Sequence, residues 1–165
     1  MNTGQTFITL GALALLVTML LTMHKNFGMN NEVVIQSKLG VTAVSLAESL
    51  VEEASGKAFD RATDDNAVSA TSSLTAASSL GLETGEFFPD SVNDFDDYNN
   101  YSQTVSFDRG GTFNINCKVN YVNPTNPEVA QSTPTWHKRL SITVTSNDML
   151  DTIRAAYIFS YFYYR

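Results

Sequence analysis

The residues best suited to chemistry lie in one short stretch, Asp90-Ser91-Val92-Asn93-Asp94-Phe95-Asp96-Asp97-Tyr98-Asn99-Asn100. Carboxylates alternating with amide side chains in a loop supply the hard oxygen donors that Ca2+ takes. Asp90, Asp94, Asp96 and Asp97 are therefore the candidate metal ligands, and Ca2+ the one candidate cofactor. The stretch is no EF-hand, because it lacks the central glycine and the closing bidentate glutamate of that loop. A second reading stands beside the first: Asp and Asn side chains in turns bond nearby backbone amides without any ion. Elsewhere the chemistry is sparse. Cys117 falls on the apolar side of an alternating run, which reads as a buried thiol rather than a nucleophile. His24 and His137 have no acid or serine beside them in sequence that would suggest a triad. No enzymatic role is expected.

The elements that must position these groups follow from composition and periodicity. The chain has 165 residues, 10 Lys+Arg against 17 Asp+Glu, and a net charge of −7. That length suits one ordinary domain with an appendage. Charged residues make up 16% of the chain, against about 25% in average soluble proteins, so much of the surface is expected to meet membrane or neighbouring subunits. The acidic balance argues against nucleic acid, whose phosphates would repel the protein. A single cysteine excludes an intramolecular disulfide framework and a multi-cysteine zinc site. The acid is concentrated: residues 60–97 hold nine acids and one base, a net −8, leaving +1 for the rest. Residues 60–100 read as an acidic, Ser/Thr-rich strap, either ordered on a surface or partly disordered. Leu74, Leu80, Leu82 and Phe87-Phe88-Pro89 are its expected pins.

No charged side chain precedes Lys25, and Phe7–Met23 is a run of 17 residues of apolar, Thr and Gly character. As a helix it would span roughly 25 Å, a little short of a hydrocarbon core of about 30 Å. Three readings compete: a secretory signal, a permanent anchor, or a helix stored in membrane and later buried among subunits. The first is the weakest, since no basic residue precedes the run and Thr22–Asn26 is a poor cleavage site. From Asn31 the period is helical again. Ile35, Leu39, Ala43, Leu46, Leu50 and Ala54 form one stripe, widened by Val44 and Val51. Asn26, Gly28 and Asn30, poor helix formers, predict a kink or an unwound stretch between the two halves.

After Asn100 the period switches to two. Tyr101–Phe107 and Thr112–Tyr121 alternate as a hairpin around Asp108–Gly111. Leu140–Thr145 and Ile153–Tyr163 supply two more strands, and 122–137, with three prolines, reads as loop. Trp136–Arg139 is expected to be exposed at a strand start and available for a subunit contact. On the last strand Ile158, Phe162 and Tyr164 form a second apolar face that calls for a loop or a neighbouring chain. The sum is an α+β chain: an N-terminal helix over 1–59, then a head over 60–165 in which the amphipathic stripe covers a four-stranded antiparallel sheet.

This order of apolar-then-amphipathic helix, acidic loop and C-terminal sheet resembles the type IV pilins and pseudopilins. SLAESLVEEA at 45–54 is similar to the helix of minor pilins and minor pseudopilins. NDFDDYNNY at 93–101 and WHKRLSITVT at 136–145 resemble segments of minor pilins of the mannose-sensitive-haemagglutinin type. The resemblance implies a pilin-like fold and a structural subunit of an extracellular filament, a homo-oligomer with helical symmetry. It implies storage in the inner membrane before assembly, a pilus assembly machinery as partner, and a prepilin peptidase acting at Gly4. Phe7, Leu10, Leu13, Leu16 and Leu20 would then line the filament core. The sequence departs from the family in two respects: Phe7 follows Gly4 two residues late, and Thr9 stands about where the family carries a glutamate. A minor pilin or secretion pseudopilin, and a single-pass anchored binding module, are the alternatives.

Overall fold

The computed structural model describes residues 2–108 and 110–161, with the side chains of residues 29 and 30 excepted. Helix α1 runs over Thr3–Ser55, 53 residues without a proline. The chain divides into two compact units, Met1–Lys38 and Leu39–Arg165.

In the first unit the apolar side chains are exposed on every side of the helix. Its threonines satisfy their own hydroxyls: Thr9 donates to the Thr6 carbonyl at 2.9 Å, Thr18 to Leu15 at 2.9 Å and Thr22 to Thr18 at 2.7 Å. A hydroxyl bonded back to its own helix costs little in an apolar solvent. Asn26, Gly28 and Asn30, expected to interrupt the helix, lie within it, and the backbone is helical from Lys25 through Asn31. Each such residue costs at most about 1 kcal/mol relative to Ala. Breaking the helix would require a second unfavourable nucleation, so propagation through them wins.

In the second unit the end of α1 packs on the sheet through Leu39, Ala43, Ala47, Leu50 and Ala54. These residues recur every three to four positions, as an amphipathic stripe must. Ala47 belongs to the stripe, whereas Ile35 and Val44 are exposed. Three of the five are alanine, and each is buried.

The sheet has five antiparallel strands rather than four: β1 Ser102–Phe107, β2 Gly111–Asn123, β3 Asn126–Ala130, β4 His137–Ser146 and β5 Ile153–Ser160. The order is β1-β2-β4-β5, and β3 folds back on the end of β2. β3 lies in the stretch read as loop. It contains Pro127, which a short strand paired along one side tolerates. Phe113, Ile115, Cys117, Val119 and Tyr121 of β2 are buried, opposite Leu140, Ile142 and Val144 of β4. Gly111 begins β2 with φ +84°, and a Cβ there would meet Leu39 Cδ2 at 3.3 Å. Only glycine adopts that backbone while leaving the helix its place.

The acidic strap is ordered and tied down. Leu74, Leu80, Val92 and Phe95 are buried, and Phe88 packs on Tyr98 and Tyr101. Leu82 and Phe87, two of the expected pins, are exposed. The Asn99 side chain donates to the Leu80 carbonyl and accepts from Val119 N, while the Tyr98 hydroxyl donates to Glu53 of α1 at 2.9 Å.

The full burial of Ala43 yields a prediction. Ala43→Leu should destabilise the protein by about 1–3 kcal/mol through overpacking, whereas Val44→Leu on the exposed side should stay within about 0.5 kcal/mol. Urea unfolding followed by tryptophan fluorescence checks both.

Candidate functional site

A short parallel bridge after α1 brings two distant pieces of chain together: Phe95 N donates to the Ala58 carbonyl at 2.9 Å, and Ala58 N to Asn93 O at 3.2 Å. Asp60 and Asp96 are thereby set near β4. On β4 the inward positions run Lys138, Leu140, Ile142, Val144, so Lys138 occupies a core site facing Tyr121 of β2. Its expected exposure is therefore overturned: Lys138 is fully buried, and Trp136 and His137 are half-buried. Arg139 pairs with Glu128 of β3 at 2.7 Å.

The Lys138 ammonium donates to the Phe59 carbonyl at 2.7 Å, to Asp60 Oδ2 at 2.8 Å and to Asp96 Oδ1. Three protons meet three acceptors. The cation also lies 4.7 Å from the Phe59 ring centroid. Asp60 is saturated as well, accepting from Ala62 N, from Thr75 N and Oγ1, and from the Tyr121 hydroxyl at 3.0 Å. Burial by itself would raise the Asp60 pKa; the charge and hydrogen bond of Lys138, with the Ala62 and Thr75 amides, outweigh it and hold the carboxyl below its ordinary 3.8.

Beside this node, where one ammonium meets two carboxylates, stand further buried acids. Asp94, Asp96 and Asp97 are all fully buried. Asp97 Oδ2 accepts from Asn93 N at 2.9 Å and Asp94 N at 3.1 Å, and Asp94 Oδ1 accepts from Asp96 N at 2.8 Å. Their second oxygens, Asp94 Oδ2, Asp96 Oδ2 and Asp97 Oδ1, are buried with no donor, and so is Glu83 Oε2. One carboxylate oxygen each from Glu83, Asp94 and Asp97 lies within 4.8 Å of the other two. Burial, reinforced by the Asp96 charge against the opposing pull of Lys138, pushes Asp94 up to about 8. Burial and the hydrogen bond with Glu86 push Glu83 up to about 7. Asp97 is raised too, by burial against its two backbone bonds.

Of the four acids singled out in the sequence, the fold brings Asp94, Asp96 and Asp97 together and leaves Asp90 exposed. Asp96 is committed to Lys138. Glu83, absent from that set, lies within reach of Asp94 and Asp97, although it is 11 positions from Asp94 in sequence. Local amides serve one oxygen of each of Asp94 and Asp97, as the turn reading expects. Cys117 is buried, its thiol pushed up to about 12 by burial. His137 Nδ1 lies 2.7 Å from Ser160 Oγ. Phe7, Leu10, Leu13, Leu16 and Leu20 are all exposed, and Gly4 stands in the first turns of α1. Ile158 is exposed on β5, while Phe162 and Tyr164 lie outside the described residues.

Removing the buried cation should be severe. Lys138→Met strands Asp60 and Asp96 and is expected to cost about 3–5 kcal/mol at pH 7. Because the folded pKa of Asp60 is depressed, its contribution is complete above the unfolded value of 3.8 and is lost as pH falls through the lower folded value. The gap between wild type and variant should therefore be widest above pH 4 and narrow below it. Urea midpoints measured from pH 7 down to pH 3 check this.

No family model, curated protein or solved structure matches the chain.

Proposed function

We propose that the chain is a structural subunit of an extracellular filament of the type IV pilus kind, held in the inner membrane by its first helical segment before assembly. The observation that carries this reading is the state of residues 7–23. They form a charge-free helix, exposed on all sides, whose hydroxyls are already bonded to its own backbone. Helix α1, in which they lie, is long and apolar enough to cross a membrane. Such a surface needs lipid or other helices of the same kind. At about 25 cal/mol per Å2 of apolar area kept from water, packing among sibling helices outside the bilayer supports a cohesive core. A head-to-tail interface that does not close on itself extends into a fibre. Phe7, Leu10, Leu13, Leu16 and Leu20 line the core, the sheet domains form the shell, and Gly4 is the candidate site for a prepilin peptidase.

Within the same reading the subunit is a major component, or a minor pilin or pseudopilin at a tip. The second reading, a single-pass anchored surface module, is favoured by Thr9 in place of a glutamate and by the span length itself. Electron microscopy of a sheared cell-surface fraction, with mass spectrometry of the fibres, separates the two. Fibres containing this chain support the subunit; recovery only from membranes supports the anchor.

Leu16→Asp or Leu20→Asp should abolish incorporation into fibres, because a carboxylate in the apolar core has no partner. The head should keep its fold, read by an unchanged urea midpoint for the chain in detergent. Fibre yield equal to wild type would count against the core-helix assembly.

A further inference from the structure

We propose that Glu83, Asp94 and Asp97 form a Ca2+ site that clamps the acidic strap of the head. The inference stands apart from the filament reading, since it concerns only side chains of the second unit. Three observations carry it. The three residues each offer an oxygen within 4.8 Å of the others; three points so spaced lie at most about 2.8 Å from a common centre, so a closing shift of a few tenths of an ångström brings all three to a Ca–O distance of ~2.4 Å from one ion. Asp94 and Asp97 are fully buried, yet Asp94 Oδ2 and Asp97 Oδ1 have no donor, and Glu83 Oε2 is in the same condition. Buried carboxylate oxygens without partners are costly and call for a counter-charge.

The cations on hand are otherwise engaged. Lys138 spends its three protons on Phe59 O, Asp60 and Asp96. Lys57 donates to the Val92 carbonyl at 2.9 Å. Arg61 approaches Glu83 Oε1 only at 3.8 Å, and its side chain is 66% exposed. The Glu83 side chain keeps 21% of its surface in solvent and lines an open cleft with Arg61, Glu86 and Asn93, which gives an ion a way in.

Oxygen-only donors select a hard cation over zinc, which favours nitrogen and sulfur. The donors come from a loop and a single turn of 3-10 helix, Asp96–Tyr98, with the irregular arrangement that Ca2+ accepts. Mg2+ demands near-ideal octahedral geometry at about 2.0–2.1 Å and gives up its waters reluctantly. A bound ion would join residue 83 to residues 94 and 97, holding the strap between its buried pins, Leu80 and Phe95.

The test uses the full chain in detergent, stripped with EDTA and dialysed into metal-free buffer. Isothermal titration with CaCl2 should give one ion per chain, with a Kd between about 10 µM and 1 mM. Ca2+ should raise Tm, and MgCl2 at the same concentration should raise it less. Glu83→Gln and Asp94→Asn should each weaken Ca2+ binding by about tenfold or more, since affinity follows the count of ligand charges. Asp90→Asn, at an exposed site outside the group, should bind as wild type does. The wild-type titration decides even where a variant fails to fold. No saturable Ca2+ binding at 5 mM, Mg2+ binding of equal strength, or undiminished binding in folded Glu83→Gln and Asp94→Asn would each overturn the proposal.

Discussion

Moving a lysine ammonium from water into a protein interior costs several kcal/mol unless its protons meet acceptors in good geometry. Lys138 meets that condition with one acceptor from each of three sources: a backbone carbonyl just beyond α1, an acid beside it, and an acid from the strap. The lysine itself rises from β4. One charged group therefore joins helix end, strap and sheet, which apolar contacts alone would allow to slide. Hydrophobic burial is non-directional. An ammonium with three fixed partners is not, and it sets where the strap crosses the sheet.

That arrangement leaves an imbalance. Asp60, Asp94, Asp96 and Asp97 are buried, and Lys138 is the one buried cation among the described residues. Backbone amides take up part of the excess: two serve Asp97, one serves Asp94, and Ala62 and Thr75 serve Asp60. Each of these bonds fixes a turn as well as easing a charge, which is why a segment of polar composition is ordered. The remainder falls where Glu83 meets Asp94 and Asp97. Like charges brought together out of water either take up protons or gather a cation, and the raised values at Glu83 and Asp94 express that pressure.

Periodicity made the helix, its covering stripe and four of the strands legible, because burial on one side imposes a period of 3.6 or 2 on the residue types. What escaped had weak local signals. β3 escaped because Pro127 reads as a breaker, although a strand needs only one bonded side at an edge. Lys138 escaped because charge at a strand start reads as solvent exposure. Its parity with Leu140, Ile142 and Val144 already placed it on the inner face. Glu83 escaped because no local spacing links it to Asp94 and Asp97; only the folded strap does. The alternating acids marked the stretch in which Asp94, Asp96 and Asp97 are buried, yet Asp90 and Asp97 look alike in sequence and differ completely in burial.

The two parts of α1 show how one helical segment of sequence can suit two surroundings. Backbone pairing is indifferent to what surrounds the helix, so Asn26 and Gly28 can be carried along without ending it. Side-chain pattern is not indifferent. Over Phe7–Met23 apolar residues occur all round, and a sheet, which can cover only one side, could not bury them. Over Leu39–Ser55 the buried apolar residues are confined to one stripe, Leu39, Ala43, Ala47, Leu50 and Ala54, while Glu48 and Glu52 face water. Lipid or sibling helices suit the first pattern because they present apolar surface from every direction. The second pattern suits a partner of fixed shape on one side and water on the other, and the sheet is such a partner.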